Sequence, residues 1–107
     1  MTPAEVAALR TVLGLSQEQF AEMLNVNPRT ARAWESGKFA PSAGVVEDMW
    51  IIKSRHDDIV RNMLSMGRAS IPRNGNKDGP KSWWLAAFGR ALANDPSISG
   101  DFSVPRD

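Results

Sequence analysis

The sequence predicts a mainly α chain. A bundle of short helices closed by a long helix spans residues 1–66, and a small α(+β) region spans 67–107. Three observations carry this reading. From Leu15 to Gly37, two short amphipathic runs flank Asn25-Val26-Asn27. From Val45 to Met66, apolar residues recur at alternating steps of four and three. After Gly67 the pattern breaks into a polar, glycine-bearing stretch, a tryptophan-rich helical run and a short segment of spaced apolar residues.

Each element has its own signals. Thr2 and Glu5 form a T-x-x-E capping box ahead of a first helix, from about Pro3 to Leu13. Val6, Leu9 and Leu13 face inward, and Gly14 ends it. A capped helix at this point is not read as a signal peptide. Ser16 and Gln19 repeat the box for the second helix, where Phe20, Ala21 and Leu24 share one face. Asn25 can adopt the left-handed conformation that turns the chain sharply. Asn27 then caps the third helix, and Pro28 takes its first position, where a missing N–H costs nothing. Ala31 and Trp34 face inward, and Gly37 suits the left-handed position past the helix end.

Ser42 caps a long helix that runs to Met66, with Gly67 as its stop. Val45, Met49, Ile52, His56, Ile59, Met63 and Met66 form a heptad-like seam, with Val46, Trp50, Val60 and Leu64 beside it. The polar stretch from Lys53 to Asp58 admits a solvated face, a buried register-setter, or a break capped by Ser54. A continuous or slightly kinked helix is favoured, with His56 as a hydrogen-bonded structural residue. Beyond it, residues 69–72 read as a short extended piece and residues 73–79 as a mobile loop. Pro80 opens a last helix to about Asn94, with Trp84, Leu85, Phe88, Ala91 and Leu92 inward. Ile98 to Val104 reads as a final strand. Trp83 and Trp84 project about 100° apart on a helix, so one of the two is expected at a subunit interface and at least one in the core.

Composition narrows the function classes. The 107 residues suit one ordinary domain, or a small one with an appendage, and the 42% apolar content is enough for a core. No apolar run approaches a membrane span of roughly 18 residues, so a cytoplasmic chain with no membrane role is expected. There is no cysteine, hence no disulfide framework and no cysteine metal site, and no cofactor is expected. One histidine, no tyrosine and no glycine-rich phosphate loop argue against an enzyme. His56-Asp57 alone lacks the further histidines that a metal phosphohydrolase site needs. The net charge is only +1, and within residues 1–42 Arg10, Arg29, Arg32 and Lys38 balance Glu5, Glu18, Glu22 and Glu35. Non-specific binding to nucleic acid should therefore be weak, since phosphate contacts dominate it.

The outward positions of the third helix are Pro28, Arg29, Arg32 and Ala33. An arginine can donate two parallel hydrogen bonds to guanine O6 and N7, and an alanine methyl can contact thymine. Asn27, Pro28, Arg29, Arg32 and Ala33 are thus the candidate base-reading set. The competing reading is a solvated basic face on a small bundle. The small Ala21, the asparagine turn, the apolar Val26 and the inward Trp34 favour the DNA reader.

From about Arg10 to Ser42 the chain resembles the Cro/C1-type helix-turn-helix, or XRE-like, family. The resemblance rests on Leu13-Gly14-Leu15-Ser16-Gln17, Ala21, Leu24, Pro28-Arg29-Thr30, Trp34-Glu35 and Ser36-Gly37-Lys38. It implies double-stranded DNA as partner. It also implies phosphate contacts at Gln17 and in the loop of Ser36, Gly37 and Lys38, to which Thr30 is added as a candidate. Arg10 and Glu35 would form a partly buried ion pair. More broadly, the order of elements resembles YdiL-like proteins and anti-CRISPR-associated autorepressors, which dimerise through the C-terminal part. Together with the surplus apolar surface, this gives Ile59, Met63, Met66, Trp83, Trp84 and Phe102 as a candidate dimer interface. The expected function is a phage or bacterial transcriptional regulator, a homodimeric (auto)repressor on a palindromic operator. The alternatives are an antitoxin whose region from Gly67 onward binds a toxin, and an interaction module in which the helix-turn-helix is only structural.

Overall fold

The computed structural model of the chain describes residues 1–104. Its elements in order are α1 (Pro3–Val12), α2 (Gln17–Leu24), α3 (Pro28–Ser36), α4 (Ala43–Met66), β1 (Arg68–Ile71), α5 (Lys81–Asn94) and β2 (Ser99–Phe102). Two compact units are present, Met1–Ser54 and one from Arg55 onward, and the division falls inside α4. The reason lies in α4 itself: Val60 and Met63, on its last turns, belong to the core of the second unit.

In the first unit both capping boxes are formed. Thr2 Oγ1 accepts from the Glu5 N–H at 3.1 Å, and Ser16 Oγ accepts from the Gln19 N–H at 3.0 Å. Val6, Leu13, Leu15, Phe20, Leu24, Trp34 and Met49 are buried. Asn25 sits at φ 56°, the one non-glycine residue with positive φ among those described, and makes the turn between α2 and α3. The helix α4 continues without a break through the polar stretch 53–58. Met49, Ile52, His56 and Met63 of its seam are buried, while Trp50 of the second stripe is 49% exposed.

The second unit adds a β–α–β crossover to the end of α4. Strands β1 and β2 are parallel, with Arg68 opposite Ser99 and Ile71 opposite Phe102. Parallel neighbours cannot be joined by a tight turn, and α5 supplies the long return. Ala69 and Ile71 alternate inward along β1 and meet Val60, Met63, Ala87, Ala91 and Ile98. Gly100 lets the strand approach α5 closely: a Cβ there would lie 2.4 Å from Phe88 Cζ, and the ring would have to shift.

Two expectations are corrected here. The buried face of α5 is Trp83, Ala87 and Ala91, with Trp84 and Phe88 only half-buried, while Leu85 and Leu92 are exposed. The i, i+4, i+8 row of Trp83, Ala87 and Ala91 is the one that lets the helix lie close on the strands, because its last two side chains are small. The segment 73–79, expected as a polar loop, is closed by hydrogen bonds. Asn76 Oδ1 accepts from the Asp78 N–H at 3.0 Å and from Trp84 Nε1–H at 3.1 Å, and Asn76 N–H donates to Gly79 O at 2.9 Å. Val104, the last apolar residue of the expected terminal strand, lies past β2 and is 86% exposed.

His56 is fully buried and bonded at both nitrogens. Its Nε2 lies 3.0 Å from Trp83 O, and its Nδ1 lies 2.8 Å from a guanidinium nitrogen of Arg90, which also donates to Asp57 at 2.6 Å. A carbonyl can only accept and a guanidinium can only donate, so the ring is neutral with its proton on Nε2. The Trp83 indole meets it edge-on, with ring centroids 4.4 Å apart. Burial pulls the His56 pKa below its ordinary value. The Arg90 charge lowers it further, against the Trp83 carbonyl and the Asp57 charge, which raise it. The unfolded chain therefore binds a proton that the folded state resists. Stability from this group is fully present above about pH 6.5, the ordinary histidine value, and is lost as pH falls below it. Urea denaturation at pH 7.5 and 5.5 should show lower stability at the acid value, and His56→Gln should flatten that difference. Equal slopes for the two proteins would contradict the assignment.

Candidate nucleic-acid interface

The geometry of α3 follows from its two ends. Asn27 Oδ1 accepts from the Arg29 N–H at 2.9 Å, and Pro28 occupies the first turn. At the other end Gly37 takes φ 82°, which lets Lys38 N–H close back on Ala33 O at 3.0 Å. Between these stops, Ala31 and Trp34 are buried and Arg29 and Arg32 are exposed. The two arginines, three residues apart, stand on one side of the helix. Pro28 is exposed beside them, and Thr30 is half-buried.

Ala33 departs from the expected set. It is 8% exposed, and so is part of the packed side of α3 and not of its outer face. On a 3.6-residue turn Ala33 lies about 40° from Arg29 and about 100° from Trp34, at the margin between the exposed and the packed sides, and there it is covered. Asn27 is exposed, but its side-chain oxygen is committed to the cap, which leaves its amide N–H groups for another partner.

A charged anchor fixes α3. Arg10 of α1 donates from Nε to Glu35 Oε2 at 2.8 Å and from a terminal nitrogen to Glu35 Oε1 at 2.9 Å. Its other terminal nitrogen donates to Leu15 O at 2.9 Å. The pair is largely covered, at 20% and 11% side-chain exposure. Glu35 raises the Arg10 pKa. The Arg10 hydrogen bonds hold the Glu35 carboxyl below its ordinary value against the opposing effect of burial, and a bond from the Gln17 side chain adds to this. Gln17, the first residue of α2, thus lies beside Glu35 of α3. Ser36 and Lys38 are exposed beyond the end of α3, and Ser36 Oγ–H donates to Ala33 O at 3.1 Å.

Residues 6–49 match the helix-turn-helix family model. This segment is a Cro/C1-type helix-turn-helix. The match supports, for this segment, a DNA-binding regulator in general. No curated protein matches the chain. Within the helix-turn-helix, α3 holds the place of the recognition helix, and its exposed arginine forks suit guanine edges and phosphates alike. Among the described residues there is no cluster of three or more side chains able to hold a metal ion. No described helix is long and apolar enough to cross a membrane.

The expected interface residues of the second unit divide. Trp83, at 2% exposure, and Met63, at 5%, are core. Trp83 lies over Gly79, where a Cβ would come within 2.4 Å of its ring, so it is fixed inside the unit. Ile59, Trp84 and Phe102 are half-buried, and Met66 is 57% exposed. The guanidinium of Arg73 and the ammonium of Lys81 lie over the Phe102 ring, at 5.1 and 5.6 Å from its centre.

Glu35→Ala should destabilise the first unit by about 1–3 kcal/mol, because it leaves the Arg10 guanidinium without its two carboxylate acceptors. The wild-type contribution should be present above the ordinary carboxyl pKa of about 4.3 and fade as pH falls through the lower folded value. Denaturation curves at pH 7 and pH 3 for both proteins check this. Indistinguishable stability at pH 7 would contradict it.

Proposed function

We propose that the chain is a cytoplasmic, sequence-specific repressor that binds a palindromic operator as a homodimer and blocks promoter access. One observation carries the reading. Arg29 and Arg32 stand exposed on the same side of α3, while the opposite side is buried and Glu35 is anchored by Arg10. A rigid helix with two free-standing forks on one side suits the major groove, where an arginine can read guanine with two hydrogen bonds. In this reading Arg29 and Arg32 contact bases, with Asn27 and Pro28 at the helix entry. Gln17, Thr30, Ser36 and Lys38 lie on phosphates, which set register without carrying sequence information. With so little net charge, a single copy would hold DNA weakly. A two-fold dimer engages two half-sites at once and gains by effective concentration.

Arg29→Ala and Arg32→Ala should each cost about 1–3 kcal/mol of binding and relax preference at one position per half-site. Lys38→Ala should weaken all sequences about equally and reduce the salt slope by about one. Fluorescence anisotropy with a bound sequence and its single-base variants, at several salt concentrations, measures all three. Normally folded arginine variants with full affinity and full specificity would overturn the reading.

A further inference from the structure

One groove of the second unit, about 710 Å³ in volume, runs along the last turns of α4. Its apolar walls include Ile59, Met63 and Met66 of α4, Ala69 of β1 and Trp84 of α5. Trp84 is ordered before anything binds, because its indole N–H is held by Asn76 Oδ1. A fixed aromatic wall loses little freedom on association and suits an interface anchor. The charges lie at opposite ends. Asp58 lies two helical turns before Met66, and Arg68 follows directly after the helix at the start of β1. Asp58 already pairs with Arg61, but both are well exposed, at 65% and 68%, and such a pair is worth little. Among the described residues Arg68 has no ion-pair partner.

We propose that this groove is filled by the same groove of a second copy. The two α4 ends lie antiparallel about a two-fold axis near Met63, and Asp58 of each copy meets Arg68 of the other. A two-fold axis across a helix reverses its order, so a group before the axis faces one that lies equally far beyond it. An acid at one end and a base at the other then give two attractive contacts. A parallel alignment would set Asp58 on Asp58 and Arg68 on Arg68. The charge pattern that fits this groove is thus the groove's own. The inference rests on the homodimer reading above and adds its surface, its orientation and its charge code.

Sedimentation velocity of the full chain at micromolar concentration tests it, with circular dichroism to verify that each variant keeps its fold. The wild type should dimerise. Asp58→Arg and Arg68→Asp should each self-associate at least about tenfold more weakly, since like charges then face each other twice. An equimolar mixture of the two variants should form a heterodimer of near wild-type strength, because each reversed charge meets its opposite. The double variant D58R/R68D should homodimerise again. If the wild type dimerises and the single variants do so equally well, or if neither combination recovers, the groove is not the interface although the homodimer reading stands. A wild-type monomer would overturn both.

Discussion

The bidentate pair between Arg10 and Glu35 holds the candidate DNA side of the first unit in place. One guanidinium serves two carboxylate oxygens of α3 and the Leu15 carbonyl between α1 and α2. It therefore fixes three segments relative to one another with a single planar group. Hydrogen bonds between ionised partners are stronger and more directional than neutral ones. That matters for α3, a helix of only nine residues. So short a helix has little stability of its own and takes its position from what it packs on. Trp34 and Ala31 supply the apolar contact, and Glu35 sets the rotation. The exposed side of Arg29 and Arg32 is the consequence.

A second polar cluster plays the matching part in the other unit. His56, Arg90 and Asp57 join α4 to α5 by hydrogen bonds at 2.8 and 2.6 Å, and Trp83 contributes both its carbonyl and its ring edge. A buried imidazole is costly unless both nitrogens find partners, and here both do. The apolar contacts of Ala69, Ala87 and Ala91 are non-directional. The directional bonds to His56 select one position. The polar stretch 53–58 is thereby both solvated face and buried register-setter, with His56 inward and Ser54 and Arg55 exposed on one unbroken helix.

Legibility in the sequence tracked the range of the interactions. The capping boxes at Thr2 and Ser16, the left-handed Asn25 and the proline after Asn27 are local chemistry, and α1, α2 and α3 lie where those signals put them. The seam from Val45 to Met66 is likewise periodic, and α4 follows it. Where several faces were equally apolar, pattern could not choose. In α5 almost every position from Trp83 to Leu92 is apolar, small or aromatic, and the buried row was decided by close approach to β1 and β2. Ala33 was ambiguous for the same reason, since an alanine suits either side of a helix. The parallel pairing of Arg68–Ile71 with Ser99–Phe102 joins segments about thirty residues apart and leaves no local mark. The candidate DNA side was more legible than the candidate interface, because long charged side chains declare exposure and apolar ones do not.

In the proposed function, two copies of α3, related by two-fold symmetry, read bases in successive major grooves. Selection of bound sequences from a random duplex pool by the full chain tests it most directly. The expected result is enrichment of one inverted repeat containing guanine in each half, with half-site centres one helical turn apart, ~34 Å, or a multiple of it. Enrichment of a single asymmetric site, or of no sequence at all, would contradict it.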